Sequence, residues 1–98
     1  MNVSSVLPTV KVIFPGALRA RVGNRASILA TGLTINEIID ALDREFPGLR
    51  FNLCYETGEL RPYVNLFLDK INIRYLQGLD TQVANGATLI ILQSVAGG

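Results

Sequence analysis

The chain has 98 residues, with nine lysines and arginines against eight aspartates and glutamates, one cysteine and no histidine. That inventory excludes Ser-His-Asp and Cys-His nucleophile systems, histidine-ligated zinc, iron–sulfur clusters and any intramolecular disulfide. Hydrophobic residues make up 49% of the chain and the net charge is +1, so we expect one folded domain with no metal and no nucleic-acid or membrane partner.

Two strands are predicted in the N-terminal part of the chain. The segment from Thr9 to Phe14 is β-branched and alternates in polarity, which is typical of a strand, and Pro15-Gly16 ends it. Ser27 to Thr31 is the second candidate strand, and a Gly23-Asn24 turn signal lies between the two. These segments together predict a hairpin with a long loop.

A helix is predicted after Thr34. Thr34 and Glu37 match a capping box, in which a hydroxyl and a carboxylate satisfy backbone N–H groups at the start of a helix. Pro47-Gly48 ends the helix. Apolar residues recur at spacings that place them on one helix face: Ile35, Ile38, Ile39, Leu42 and Phe46.

The second half of the chain predicts three strands after an ambiguous segment. The residues from Leu49 to Arg61 show no clear period. Tyr63 to Leu68 alternates as a strand does, a short strand is predicted from Ile71 to Arg74, and Thr88 to Gln93 is the last strand.

One amphipathic helix among several strands predicts an α+β fold, in which the helix packs on one side of a sheet. If the first and last strands are parallel neighbours at the centre, the layout is the β-grasp, or ubiquitin-like, fold. That fold would have a mixed sheet of four or five strands packed on one main helix. We expect residues 1–93 to form this domain and residues 94–98 to form a flexible C-terminal Gly-Gly tail.

One face of the sheet lacks a predicted cover. A single long helix covers only one face, whereas Leu89 to Leu92 is apolar on both. Strand alternation places Tyr63, Phe67 and Ile13 opposite the core-facing positions. Because exposed apolar patches commonly bind partners, these three residues are candidate partner contacts. The alternative is that the segment from Leu49 to Arg61 folds across them.

The single cysteine and the helix carboxylates are not predicted to be catalytic. Cys54 lies among apolar residues, where a free cysteine is more often part of the core than a nucleophile. Asp40 and Asp43 lie on the polar side of the helix and are interpreted as ordinary surface charges rather than an acid–base pair.

The terminal carboxylate is the remaining reactive group. The chain ends Gln93-Ser94-Val95-Ala96-Gly97-Gly98 directly after the last predicted strand. Two glycines without Cβ atoms can enter a narrow channel, and the α-carboxylate is ionised at neutral pH. An ATP-dependent partner can adenylate such a group, and the acyl-adenylate can then accept sulfur or an amine. The alternative is a chain end without a role.

Several stretches match the pattern of one family: Arg61 to Asp69 with its Arg-x-x-Val-Asn strand, Ile73-Arg74, Val83 to Gly86, and the ending Val95 to Gly98. In these motifs the chain resembles the ubiquitin-like sulfur carriers. That family includes the small subunit of molybdopterin synthase, the thiamine-synthesis carrier and the carrier of thiocarboxylate-dependent cysteine synthesis.

The resemblance implies a carrier rather than an enzyme. An E1-like partner would bind the sheet face and use ATP to adenylate Gly98, which a sulfur donor would convert to a thiocarboxylate. Gly97 would provide clearance, and Val95 and Ala96 would contact the partner. The carrier would hold no cofactor of its own and would deliver sulfur to an accepting synthase. The chain shows no signal sequence and no apolar run of membrane length, which favours a cytoplasmic location.

The recipient pathway has more than one candidate. The stretch from Gly58 to Arg61 is most similar to the cysteine-synthesis carriers, so sulfur delivery for cysteine is the first hypothesis. Gln93-Ser94 replaces prolines that are frequent in the family, and a role as the small subunit of molybdopterin synthase stays open. Two further hypotheses are a protein modifier that forms isopeptide bonds through Gly98 and a β-grasp module that binds its partners without a covalent bond.

Overall fold

The computed structural model describes residues 6–94. The strands are β1 (Thr9–Ile13), β2 (Ser27–Thr31), β3 (Val64–Leu68), β4 (Ile71–Asn72) and β5 (Thr88–Gln93), and the helices are α1 (Gly16–Arg19), α2 (Ile35–Glu45) and α3 (Leu49–Leu53). The predicted short strand ends at Asn72 instead of Arg74, because the Asn72 side chain accepts a hydrogen bond from the Arg74 N–H at 3.0 Å and the chain turns into a 3-10 helix.

The five strands form one mixed sheet in the order β2-β1-β5-β3-β4. β1 and β5 are parallel neighbours at its centre, and the other pairs are antiparallel. A parallel pair needs a long crossover, which here holds every other strand and α2. The predicted β-grasp fold is therefore confirmed.

The helix α2 begins as the capping pattern predicts. The Thr34 hydroxyl accepts a hydrogen bond from the Glu37 N–H at 3.2 Å, and the Glu37 carboxylate accepts one from the Leu33 N–H at 3.0 Å. Gly32 lies so close to this turn that a Cβ there would be 2.9 Å from the Glu37 Cβ. Phe46, predicted on the apolar face, follows the end of the helix in a bend and is half-buried.

The segment from 49 to 61 packs beside α2. Leu49 and Leu53 of α3 are buried in the core shared by the sheet and α2. Arg50 binds the Asp40 carboxylate on α2 at 2.6 Å. The segment therefore lies on the helix side of the sheet, and the alternative in which it folds across the opposite face is wrong.

In the described range, no helix has both the length and the apolar character that a membrane crossing requires.

Candidate functional site

The sheet face opposite α2 carries a row of half-buried apolar side chains. Ile13 of β1 pairs with Ile90 of β5, and Ile90 pairs with Phe67 of β3. Residues opposite one another across strands share a face, so these three side chains lie side by side. Their chain neighbours point into the core and are at most 9% exposed: Val12, Phe14, Leu66, Leu68, Leu89 and Ile91.

The row is widened at both ends by exposed side chains. Leu29 on β2 is 69% exposed, Leu92 on β5 is 47% exposed and Tyr63 just before β3 is 36% exposed. Lys11 lies beside Leu29 and supplies a single positive charge on this side of β1. We call these residues, together with Ile13, Phe67 and Ile90, the open face. A mostly apolar surface of this kind suits a protein partner.

The root of the predicted tail lies at one end of the open face. The Ser94 N–H donates a hydrogen bond to the Tyr63 carbonyl at 2.8 Å, which continues the pairing of β5 with β3. The chain beyond Ser94 therefore starts next to Tyr63. The other predicted site residues, Val95, Ala96, Gly97 and Gly98, lie outside the described residues.

Arg74 holds the start of β3 from the side opposite β5. Its guanidinium donates to the Val64 carbonyl at 2.9 Å, to the Arg61 carbonyl at 3.0 Å and to Asn65 Oδ1 at 2.7 Å. Tyr63 pairs with Ser94 on one side, so the Val64 carbonyl points to the other side, where β4 is too short to reach. Arg74 supplies the donor that a longer β4 would have provided.

Arg61 links the segment containing α3 to the same corner. Its guanidinium lies 4.8 Å from the Phe51 ring centre and 4.6 Å from that of Tyr55, and its Nε donates to the Phe51 carbonyl at 2.9 Å. Cation–π contacts of this type stabilise an exposed arrangement modestly, by about 0.5–1 kcal/mol. Arg61 and Arg74 therefore bring three segments together near the tail root: the segment containing α3, the start of β3 and the turn after β4.

The sequence motifs contained Arg61, Asn65 and Arg74 without indicating what they do. The structure shows that Asn65 Oδ1 accepts hydrogen bonds from both Arg74 and the Asn72 amide. The Arg-x-x-Val-Asn strand and the following Ile-Arg pair therefore form one hydrogen-bonded unit. In the sequence, only the family motif singles out these residues, because neither composition nor hydrophobic periodicity indicates a role for them.

The described side chains offer little chemistry of their own. Cys54 is buried, and burial raises the pKa of its thiol even though Arg50 and Arg61 act to lower it. A thiol of that kind is a poor nucleophile, as the sequence indicated. No group of three metal-ligating residues occurs between residues 6 and 94.

The helix carboxylates are more than ordinary surface charges, which corrects the interpretation from the sequence. Asp40 binds the Arg50 guanidinium, while Asp43 Oδ1 accepts hydrogen bonds from the Gly48 N–H at 3.1 Å and the Arg50 N–H at 2.9 Å. Both carboxylates thus attach α3 to α2. They are not arranged as an acid–base pair.

Comparison with known proteins gives consistent similarities. The model of the ThiS family matches residues 12–98. The sulfur carrier protein CysO of Mycobacterium tuberculosis is 32% identical over 100 aligned residues, covering 100% of both chains. A chain of the Amycolatopsis orientalis BexX/CysO complex is 36% identical with a TM-score of 0.85, covering 91% of this chain and 99% of that one.

A protein modifier is also similar in structure. The small archaeal modifier protein 1 of Methanosarcina acetivorans is 26% identical with a TM-score of 0.81, covering 94% of this chain and 98% of that one. The alignments with these three proteins each cover at least 91% of this chain. The similarities therefore apply to the whole fold rather than to one motif.

Proposed function

The chain belongs to the ThiS family, and from this premise we propose that it is a sulfur carrier whose Gly98 carboxylate is converted to a thiocarboxylate. The observation that carries the proposal is the full-length similarity to a sulfur carrier protein. It is supported by the position of the tail root, since Ser94 leaves the sheet beside Tyr63 on the open face.

The proposed chemistry takes place on the main chain. The Gly98 carboxylate attacks the α-phosphorus of ATP, pyrophosphate leaves, and an acyl-adenylate forms. Hydrosulfide from the donor then attacks the acyl carbon, the bond to AMP breaks and a proton is released, which yields the thiocarboxylate. Gly97 leaves the approach to this carbon clear of side-chain atoms, because it has no Cβ.

The proposed role fits the side chains of the described residues. The one thiol is buried with a raised pKa, and neither Asp40 nor Asp43 is free to act as a general base. A carrier needs no such groups, because an E1-like partner supplies the ATP site and the donor supplies the sulfur. We propose that the protein acts as a co-substrate of those partners and not as an enzyme.

The open face is the proposed docking surface for the E1-like partner. Phe67, Ile13 and Ile90 provide its apolar centre, and Tyr63 joins that centre to the tail root. A partner that covers the open face would hold the chain beyond Ser94 at a fixed distance from its ATP site. Val95 and Ala96 are proposed to contact the partner along that path.

An ATP–pyrophosphate exchange assay tests the adenylation step. The E1-like enzyme from the same organism should catalyse exchange only when the carrier is present. A chain lacking Gly97-Gly98 should support no exchange, whereas Tyr75→Lys should behave as the unaltered chain. Tyr75 is the matched control because it is 85% exposed and lies outside the sheet strands. Exchange that continues without the two glycines would contradict the proposal.

We propose cysteine synthesis as the recipient pathway, because the full-length relatives include carriers named CysO. The molybdopterin alternative has less support, since a molybdopterin converting factor subunit from Pyrococcus furiosus shares the fold at 14% identity with a TM-score of 0.65. Thiocarboxylated protein supplied to each accepting synthase distinguishes the two, by measuring cysteine and molybdopterin formed. If molybdopterin forms and cysteine does not, the recipient pathway is molybdopterin synthesis instead.

A second candidate function is protein modification, which the likeness to an archaeal modifier protein favours. An amine of a lysine would attack the activated Gly98 carbonyl, AMP or a thiol would leave, and an isopeptide bond would form. Proteolysis of cellular proteins would then leave Gly-Gly remnants on lysines. Their absence from cells that contain this protein would leave modification without a product.

A further inference from the structure

The strand β2 forms one outer edge of the sheet, and its backbone there is unpaired. The Phe14 N–H donates to the Ala26 carbonyl and the Gly32 N–H donates to the Pro8 carbonyl. This register turns the N–H and C=O groups of the even-numbered β2 residues towards β1. The corresponding groups of Ser27, Leu29 and Thr31 therefore point away from the sheet, and no hydrogen bond joins them to any other residue between 6 and 94.

This edge has none of the usual features that prevent strand addition. Natural edge strands are commonly protected by charges, prolines, bulges or a very short length. β2 has the sequence Ser-Ile-Leu-Ala-Thr, with five residues, no charge and no proline. The opposite edge is protected by length, because β4 has two residues. β2 is thus the edge that is open to another strand.

We propose that β2 pairs with β2 of a second copy of this chain, antiparallel and about a two-fold axis at Leu29. The register of this pairing is the same when viewed from either copy. Leu29 would face Leu29 of the second copy, and each Ser27 would face Thr31 of the other copy. All of these residues point their backbone groups outward, so each facing pair can exchange both of its hydrogen bonds.

The side chains favour the same arrangement. Each Leu29 is 69% exposed in one copy, and the two would cover each other on the continued open face.

The pairing is compatible with a free chain end. Two copies related in this way would form one continuous sheet with both open faces on the same side. β5 runs antiparallel to β2 in each copy, so the two Ser94 residues would lie at opposite ends of the sheet. The association does not depend on the proposed sulfur chemistry and does not block the tail root.

The association is expected to be weak and reversible. One pair of short edge strands buries less area than the roughly 1,200–2,000 Å² of stable interfaces. The monomer and the pair should therefore exchange, and the test needs a protein concentration of hundreds of micromolar as well as a method that captures the pair.

Cysteine cross-linking captures the pair directly. Residues facing each other in a hydrogen-bonded antiparallel pair have Cα atoms about 5.5 Å apart, within the range of about 4.4–6.8 Å that a disulfide requires. Under mild oxidation, Leu29→Cys should form a covalent dimer at least ten-fold faster than Leu92→Cys. Leu92 is the matched control, since it is an exposed leucine of the same face on an inner strand. Equal rates would overturn the proposal.

Sedimentation equilibrium gives an independent result without a covalent bond. The unaltered chain should show a reversible dimer, and Leu29→Lys should raise its dissociation constant at least ten-fold, because two like charges would face each other. Leu92→Lys should leave it within three-fold, and both variants should keep the thermal unfolding midpoint of the parent. A chain that stays monomeric at the highest concentration would refute self-pairing and leave the edge to an extended peptide of another protein.

Discussion

Arg74→Ala should destabilise the domain, because it removes the side chain that completes the edge of β3. Of the three oxygens that Arg74 binds, the Val64 carbonyl is part-buried, while the bonds to Arg61 and Asn65 are exposed. Water can replace a donor at the exposed oxygens. At the Val64 carbonyl the substitution leaves a partly buried acceptor without a partner, which costs about 1–3 kcal/mol.

We therefore expect Arg74→Ala to lower the free energy of unfolding by about 2 kcal/mol. For a domain of this size each kcal/mol shifts the thermal midpoint by roughly 4–8 °C, so the midpoint should fall by about 8–16 °C. Circular dichroism during thermal and urea unfolding measures both quantities. Arg74→Lys should retain only part of this stability. A lysine ammonium lacks the planar guanidinium fork that reaches the carbonyls of two residues at once.

Arg21→Ala is the matched control for this prediction. Arg21 is an exposed arginine in a short 3-10 helix before β2, and its removal should change the free energy of unfolding by about 0.5 kcal/mol or less. If Arg74→Ala and Arg21→Ala shift the midpoint equally, the hydrogen bonds of Arg74 do not stabilise β3 and the explanation of the motif is wrong.

Three other substitutions test separate parts of the structure. Leu53→Ala should lower the free energy of unfolding in urea by about 2–5 kcal/mol, because Leu53 is fully buried; a loss below about 1 kcal/mol would place α3 outside the core. Phe67→Lys should weaken binding to the E1-like partner at least ten-fold in a titration, while Tyr75→Lys should not; equal effects would count against the open face as the docking surface. The free energy of unfolding should fall as pH rises above the ordinary thiol pKa of 9.0, because the unfolded Cys54 thiol ionises before the buried one. This component should be missing from urea titrations of Cys54→Ala, and identical pH profiles would contradict it.

The main elements follow from local patterns in the sequence. The period of two in β1 and β3 places alternate residues on opposite faces, and that rule was sufficient to put Ile13, Phe67 and Tyr63 on one face. The Thr34–Glu37 pair marked the start of α2 by chemistry that operates within one turn. These features depend on residues close together in the chain.

The helix α3 and the unit around Arg74 depend on distant residues. α3 has five residues and starts after Gly48 at φ 97°, so it offers no helical period to recognise. It is held by Asp40, ten positions before Arg50. Arg74 likewise binds carbonyls ten and thirteen positions earlier. The sequence contains these residues, but only the folded sheet determines which of them meet.

The most direct test of the proposed function is the location of sulfur after a complete reaction. The protein is incubated with its E1-like partner, ATP and a sulfur donor, and is then examined by intact-mass and tandem mass spectrometry. We predict a shift equal to the exchange of one oxygen for one sulfur, confined to the fragment that contains Gly98. An unchanged mass in a system that activates another carrier, or sulfur found on Cys54 instead, would contradict the proposal.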